Sequence, residues 1–284
     1  MRAHITLHAL HKGGTEPHEY EDAAWVGSSA AAGPDRGMMP PPGPACRRGE
    51  VGRVATVRAA VSDGAADSLL ARRWAETLVR RAGAAPTRLL RGGADFADLL
   101  GQAADRWPEL MRRYELMREA RGRPLAWYER PGFERGAHAT LLVAHFAAHR
   151  WAPGCGTWSA AALGDSCLFH VRGDRLRVAF PVTRAADFGT TPALAASGGQ
   201  DHAAAAARAH CVHGRWLLGD RFYLATDAMA AWFLRRTEHG GKPWAALRAL
   251  DSAAPGDLAR WVERQRKAGE LRNDDVTIIR IEPR

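Results

Sequence analysis

The chain has 284 residues, of which 46% are hydrophobic and 25% charged, a composition typical of globular proteins that excludes a disordered tail or a fibre. A chain of this length buries most of its apolar surface, and its four cysteines include no CxxC pair that would indicate a zinc ribbon. The net charge of +9 could attract nucleic acid. The arginines are spread along the whole chain, however, which disfavours a nucleic-acid partner and favours solvated helix faces.

Two features of the sequence bear on the cellular compartment. The longest apolar run, residues 139–148, is interrupted by His145 and is far shorter than a bilayer span. The N-terminus lacks the apolar core of a signal peptide. The sequence therefore predicts a soluble, cytoplasmic protein with no membrane partner.

Helical periodicity in the sequence predicts five helices. Ser68 is placed to cap a helix on which Leu70, Trp74 and Leu78 recur every four residues. Two further helices are predicted over residues 95–117, on either side of Pro108, and the remaining ones near residues 229–233 and over 257–267. The segment 28–49 is rich in Pro, Gly and Ala, so a flexible loop is predicted there.

Strand-like alternation occupies most of the remaining chain, and the strands are grouped apart from the helices. This grouping, without a regular alternation of strand and helix, predicts an α+β architecture with antiparallel sheets. The predicted strands are 4–8, 23–26, 54–61, 140–146, 157–163, 167–171, 175–180, 221–225 and 276–281.

Aspartates follow or precede many of these strands. One aspartate after a strand usually only opens a turn, but five of them can meet at one edge of a sandwich, where their charges would repel. Such a cluster is tolerable only if cations neutralise it, and an all-oxygen donor set favours Mg²⁺ or Mn²⁺ over zinc. The five are Asp22, Asp63, Asp165, Asp227 and Asp274.

The order of these motifs resembles that of the metal-dependent serine/threonine protein phosphatases of type 2C, the PPM family. The series is Glu21-Asp22-Ala23, Asp63-Gly64, Gly164-Asp165-Ser166, Thr226-Asp227 and Asp274-Asp275-Val276-Thr277. The resemblance runs from about Glu19 to Ile281. It is greatest to the bacterial branch, in which a Trp-bearing helix follows the Asp-Gly motif, as residues 71–75 do here.

This resemblance implies one domain over residues 1–284, with two packed antiparallel β-sheets flanked by α-helices and a site at one end of the sandwich. Asp63 would bridge two Mn²⁺ or Mg²⁺ ions, and the Gly64 carbonyl would add a ligand. Asp227 and Asp274 would complete the shell of one ion, while Asp22 would hold the other, with Glu21 acting through water. For Asp165 two interpretations stay open, a ligand of a third ion or a cap of the turn between two strands.

The activity that the resemblance implies is hydrolysis of phosphoserine and phosphothreonine in proteins by water activated between two metal ions. The implied partners are phosphorylated proteins, among them a serine/threonine kinase or its targets. The sequence departs from the family where an arginine often clamps the phosphate, since Pro17 and His18 stand there. It departs again at Ala65-Ala66-Asp67 and at Ala228. These departures leave open an alternative, a phosphatase-like module that binds a phosphorylated partner with little or no turnover.

Overall fold

The computed structural model of the chain describes residues 1–28, 45–52, 54–66, 68–90, 92–189, 191–199, 201–252 and 256–284. The strands are β1 (Ala3–Leu10), β2 (Ala23–Ser28), β3 (Ala45–Val51), β4 (Thr56–Ser62), β5 (His138–Ala139), β6 (Leu141–Ala148), β7 (Cys155–Leu163), β8 (Cys167–Arg172), β9 (Arg175–Phe180), β10 (Ala195–Ala196), β11 (His210–Leu217), β12 (Arg221–Ala225) and β13 (Val276–Pro283). The helices are α1 (Ala71–Ala84), α2 (Gly93–Ala104), α3 (Trp107–Ala120), α4 (Arg130–Glu134), α5 (His202–Ala207), α6 (Asp227–Glu238), α7 (Pro243–Ala249) and α8 (Asp257–Lys267).

Two antiparallel sheets form the centre of the fold. The six-stranded sheet has the order β3-β1-β13-β12-β8-β9, and the five-stranded sheet has the order β11-β7-β6-β4-β2. Between them lies a core to which both sheets contribute alternate apolar residues, such as Leu7 and Ile279 from one sheet and Val61 and Phe146 from the other. Because side chains alternate across a strand, the opposite face of each sheet is left for a second layer.

Helices cover these outer faces. On the five-stranded sheet, Trp74 and Leu78 of α1 and Phe96 of α2 pack in one cluster with Trp25 of β2. On the six-stranded sheet, Phe233 of α6 stacks on Phe169 of β8, with ring centroids 4.2 Å apart. The predicted α+β architecture, two antiparallel sheets flanked by helices, is therefore confirmed.

Several local predictions need correction. Within the segment 28–49, residues 45–49 are part of β3 and pair with β1, while Ser28 ends β2; residues 29–44 lie outside the described part of the chain. The predicted cap Ser68 does not open α1, because the N-cap position is Leu70. Instead, the Ser68 hydroxyl accepts a hydrogen bond from the His138 amide at 3.3 Å.

β11 and α5 are among the elements that are not predicted. The signal for α5 is Asp201, which caps it by accepting from the Ala203 and Ala204 amides, and the alanine run that follows. In β11 most residues are at least partly exposed, as expected of a strand at the edge of a sheet, so the apolar alternation is weak. None of the helices in the described ranges combines the length and the apolar composition needed to cross a bilayer.

Candidate metal centre

Strand register brings the predicted aspartates to one end of the sandwich. In the five-stranded sheet, Ala23 of β2 pairs with Ser62 of β4, so Asp22 and Asp63 flank the last pair of the ladder. In the six-stranded sheet, β12 runs into Asp227 and β13 begins after Asp274, and the Thr226 amide donates to the Thr277 carbonyl at 3.1 Å. Both sheets therefore present carboxylates at the same end.

Asp22 connects the two sheets through its side chain. It is only 2% exposed, and its Oδ2 accepts hydrogen bonds from the hydroxyls of Thr226 at 2.8 Å and Thr277 at 2.6 Å. The Tyr20 hydroxyl also contacts Thr277 Oγ1. Because Thr277 gives its single hydroxyl proton to Asp22, Tyr20 donates in this contact. The hydroxyls of Thr226 and Thr277 thus orient the Asp22 carboxylate directly, and the Tyr20 hydroxyl supports Thr277.

The other oxygen of Asp22 has a different environment. Oδ1 is buried and has no hydrogen-bond partner among the described residues. Burial, followed by the nearby charge of Asp275, raises the pKa of Asp22 well above its usual value, and the two threonine hydroxyls only partly oppose this. A buried carboxylate oxygen without a hydrogen-bond partner costs free energy in the folded state.

Asp63 is the residue around which the other carboxylates converge. Its backbone is fixed by Thr140, whose hydroxyl accepts from the Asp63 amide at 3.0 Å and whose amide donates to the Asp63 carbonyl at 2.9 Å. Burial raises the pKa of the Asp63 carboxyl well above its usual value. The charges of four other aspartates add to this effect, in decreasing order Asp22, Asp227, Asp274 and Asp165.

Gly64 is required by a close approach of the backbone. A Cβ atom at this position would lie 2.8 Å from the Glu21 carbonyl oxygen and 3.0 Å from backbone and side-chain atoms of Ala71 at the start of α1. A larger residue would therefore separate Glu21 from the helix. This packing explains the Asp-Gly pair that the sequence shows.

Asp227 and Asp165 differ in their partners and in their exposure, since Asp227 is partly exposed and Asp165 is buried. Asp227 is the first residue of α6, and its carboxylate is paired with Arg272. Burial raises the pKa of Asp227, while Arg272 lowers it. Asp165 Oδ1 is buried and has no partner among the described residues, and burial together with the charge of Asp227 raises the pKa of Asp165 to about 6.

Asp275, which is not among the five predicted aspartates, positions Glu21. Its Oδ2 accepts from the Glu21 amide at 2.6 Å and its Oδ1 from the Lys12 amide at 2.8 Å. The carboxylate of Glu21 lies 3.6 Å from Lys12 Nζ. Asp274 Oδ1 accepts from the Asp275 amide at 2.9 Å, and the charge of Asp274 contributes to the raised pKa of Asp63.

The donor set fits a hard divalent cation, although its members are not yet arranged as ligands. All of the predicted side-chain ligands are carboxylates, and two of their buried oxygens lack a partner among the described residues. Within the described ranges, no three Asp, Glu, His or Cys side chains already stand where they could share one metal ion. The residue types and their electrostatics fit Mg²⁺ or Mn²⁺. The predicted assignment of each ligand stays a prediction.

A broad groove of about 1310 Å³ adjoins the cluster. Pro17–Glu19 form a short 3₁₀ turn at the wall of this groove, and His18 lines it. This is the position at which many members of the family carry a phosphate-binding arginine. The Arg72 guanidinium, also in this wall, lies 5.7 Å from the centroid of the Tyr20 ring. The charged lining of the groove is mixed: it includes arginines such as Arg72, Arg73 and Arg135 and the carboxylates of Glu19, Glu21, Glu76 and Glu129.

The threonine contacts of Asp22 predict a stability effect. Replacing Thr277 by Val keeps the volume but leaves Asp22 Oδ2 with one donor and the Tyr20 hydroxyl without its acceptor. We expect a loss of about 1–3 kcal/mol in the free energy of unfolding, measured by urea denaturation. The matched control is Thr77→Val, since the Thr77 hydroxyl donates to the Arg73 carbonyl on an exposed helix face. Equal effects of the two substitutions would show that this link between the sheets does not stabilise the fold.

The raised carboxyl pKa values predict how stability depends on pH without metal. In the unfolded chain these carboxyls ionise at their ordinary pKa of 3.8, whereas in the folded chain they ionise only at a higher pH, about 6 for Asp165. The folded state therefore loses stability relative to the unfolded state as pH rises from 3.8 through the folded-state pKa. In EDTA at pH 7, Asp63→Asn should therefore raise the free energy of unfolding by on the order of 1 kcal/mol or more. The gain should disappear toward pH 4.

The control for this measurement is Asp98→Asn, because Asp98 is exposed on α2. We expect its unfolding free energy to follow the wild type at each pH. A metal-free Asp63→Asn variant that is no more stable than wild type at pH 7 would contradict the charge repulsion described above.

Known proteins resemble this chain in fold. No protein-family model matches the chain, and no curated protein matches it. Among solved structures, a bacterial serine phosphatase is 10% identical with a TM-score of 0.52, over 98% of this chain and 96% of that chain. The serine/threonine phosphatase of S. agalactiae is 11% identical with a TM-score of 0.50, over 99% of this chain and 100% of that chain. At these identities the similarity establishes the fold, and this chain has the two-sheet fold of bacterial serine/threonine phosphatases, as its motif order predicted.

Proposed function

We propose that this chain hydrolyses phosphate monoesters of serine and threonine in proteins, with Mg²⁺ or Mn²⁺ as cofactor. The observation that carries this proposal is the convergence of carboxylates from both sheets on Asp63, whose pKa is raised by burial and by the other aspartates. A cluster that is unfavourable by itself but built from all-oxygen donors is what a cation-dependent site requires. The fold shared with serine/threonine phosphatases agrees with it.

For the cation ligands we propose the assignment that the family resemblance implies. Asp63 lies among the other carboxylates, with the Gly64 carbonyl beside it. Asp227 and Asp274 would serve one ion, and the partnerless Oδ1 of Asp22 the other, with Glu21 close by. Asp165, whose Oδ1 also lacks a partner among the described residues, is proposed as a ligand of a third ion rather than only a turn residue. When bound, divalent cations neutralise charge on the phosphoryl group and make water more acidic.

The side chains of the protein supply orientation and substrate contacts. Thr226 and Thr277 hold Asp22 so that one carboxylate oxygen is fixed and the other is available. Asp275 fixes the backbone of Glu21. Arg272 pairs with Asp227 and is 47% exposed, so it can leave that carboxylate and contact a phosphate at the mouth of the site. We propose that Arg272 replaces the arginine that is missing near Pro17 and His18.

The groove beside the site gives a reason to expect a protein substrate. Its volume of about 1310 Å³ leaves room for residues that flank a phosphoserine or phosphothreonine, and its lining offers both arginines and glutamates as polar contacts. A serine/threonine kinase or one of its targets is the partner we propose. A cytoplasmic location stays a prediction.

The second candidate function is a module that binds a phosphorylated partner without turnover. Two observations favour it: His18 stands in the wall of the groove where an arginine was expected, and no ready-made three-ligand arrangement occurs in the described ranges. Phosphate binding without hydrolysis would need the groove and Arg272 but not the full carboxylate cluster. The two candidates therefore differ in how they respond to loss of Asp63.

An activity assay distinguishes them. We expect purified protein to hydrolyse p-nitrophenyl phosphate and a phosphothreonine peptide with Mn²⁺, and EDTA to stop both reactions. Asp63→Asn should lower kcat by at least about a hundredfold, because catalysis of phosphate monoester hydrolysis relies on charge stabilisation. Asp98→Asn should leave kcat unchanged. If neither substrate turns over across a Mn²⁺ or Mg²⁺ titration while the phosphopeptide still binds, the binding module is correct.

The role of Arg272 is tested by its effect on KM. Arg272→Ala should raise KM for p-nitrophenyl phosphate about tenfold at saturating Mn²⁺, as expected for loss of one charged hydrogen bond to phosphate, with a smaller effect on kcat. The control is Arg260→Ala, since Arg260 is an exposed arginine paired with Asp257 within α8. An unchanged KM in Arg272→Ala would mean that phosphate contacts come from elsewhere in the groove.

A further inference from the structure

Two large aromatic side chains are exposed next to each other on the loop between α3 and α4. Trp127 is 83% exposed and Tyr128 is 69% exposed, and their rings meet edge to face with centroids 5.9 Å apart. Tryptophan and tyrosine are enriched at protein interfaces, because a large ring buries much apolar surface when a partner covers it. This pair, Trp127 and Tyr128, is termed the aromatic rim.

The backbone that carries the aromatic rim is held in place by polar contacts. The Arg118 guanidinium donates to the Glu129 carboxylate at 3.0 and 3.2 Å, and its Nε donates to the Arg123 carbonyl at 2.6 Å. Glu129 also accepts from the Ala126 amide at 2.8 Å. Leu125, within the same loop, packs in the core cluster that contains side chains of α1 and α2. The loop is therefore ordered before a partner binds, which lowers the entropic cost of binding.

The aromatic rim is continuous with the groove beside the carboxylate cluster. Tyr128 lines this groove of about 1310 Å³, and so does Glu21, whose backbone amide Asp275 holds next to the cluster. Pro131 and Arg135, which flank the loop on the side of α4, line the same groove. A polypeptide that places a phosphorylated residue at the cluster can therefore follow the groove to the aromatic rim.

The charges near the aromatic rim limit the kind of partner. Residues 121–135 contain four arginines and two glutamates, and one of these glutamates, Glu129, is already paired with Arg118. Arg135 is exposed and lines the groove. A basic peptide would be repelled by this excess of positive charge. A peptide with acidic residues and an aromatic or large apolar side chain is complementary to it.

We propose that the aromatic rim binds an aromatic or large apolar side chain of the phosphorylated protein substrate, in a segment that flanks the phosphoserine or phosphothreonine. The two rings cover that side chain, and Arg135 contacts acidic residues of the same segment. The aromatic rim thus determines which phosphoproteins are bound and takes no part in the hydrolysis. It acts on the substrate of the proposed function, so this inference rests on that function.

Steady-state kinetics with two kinds of substrate test the proposal. A set of acidic phosphothreonine peptides carries a single phenylalanine at successive positions on either side of the phosphothreonine, whereas p-nitrophenyl phosphate has no flanking residues. We expect peptides with phenylalanine on one side to have a KM about tenfold below that of the peptide without phenylalanine, as for one buried aromatic contact. Trp127→Ala should remove this preference and leave the KM for p-nitrophenyl phosphate unchanged.

Two further variants serve as controls. Trp151→Ala is the matched control, because Trp151 is also an exposed tryptophan, at 79%. It lies just beyond the end of β6 that is remote from Thr140 and Asp63, so it should leave both KM values unchanged. Trp127→Phe keeps an aromatic ring and should retain most of the preference. Since the Trp127 side chain is exposed, Trp127→Ala should unfold at the same urea concentration as the wild type.

The results distinguish loss of this substrate contact from absence of phosphatase activity. If the wild type hydrolyses p-nitrophenyl phosphate but Trp127→Ala keeps the peptide preference, the proposed contact is wrong and the phosphatase function stands. If no substrate turns over, the Kd of each phosphopeptide is compared by fluorescence anisotropy, and a loss of about tenfold in Trp127→Ala supports the contact without hydrolysis. Unchanged Kd values, or the absence of phosphopeptide binding, would overturn it.

Two other occupants of the aromatic rim are tested with the same variant. Analytical ultracentrifugation measures self-association, and co-sedimentation measures binding to phosphatidylglycerol vesicles. A Trp127→Ala variant that loses self-association with unchanged KM and Kd for the peptides would assign the aromatic rim to a second copy of the chain. Loss of vesicle binding alone would assign it to an anionic lipid surface. Either result would overturn the proposal.

Discussion

The contact on which the site depends is the pair of hydroxyl groups that Thr226 and Thr277 donate to one oxygen of Asp22. Asp22 precedes a strand of the five-stranded sheet, and both threonines lie at strand ends of the six-stranded sheet, so these two hydrogen bonds fix the sheets relative to each other. They also set the direction of the carboxylate.

The cluster illustrates a conflict between stability and function. Buried carboxylates near one another raise the free energy of the folded chain at neutral pH. Among the described residues, Arg272 is paired with Asp227 and Lys12 with Glu21. Replacing these groups with neutral ones would relieve the repulsion but leave nothing to bind a divalent ion. The repulsion between the carboxylates therefore remains in the folded state. Hydroxyls and backbone amides around Asp22, Asp63 and Asp275 hold these carboxylates in place.

The sequence predicted the parts of this structure that depend on local pattern. Strands with a buried face can be predicted because hydrophobic alternation is a local property of the sequence. The order of the aspartates can be predicted because their position next to a strand is also local. The edge strand Ala45–Val51 was hidden by its polar, exposed residues. The contacts of Thr277, Asp275 and Arg272 were equally invisible, because each joins residues more than 40 positions apart in the chain. Sequence spacing does not reveal such pairs.

One strand pair places two different chemistries on opposite faces of the same sheet. Thr277 of β13, paired with Ala9, points toward Asp22 and the oxygen-donor cluster, whereas the next pair, Ile278 with His8, faces the helical side. Alternation along β1 and β13 separates these two environments, since a shift of one residue in register would turn each side chain to the other face of the sheet. Thr277 therefore lies on the face that meets Asp22 and the five-stranded sheet, while His8 and Ile278 lie on the face that the helices cover.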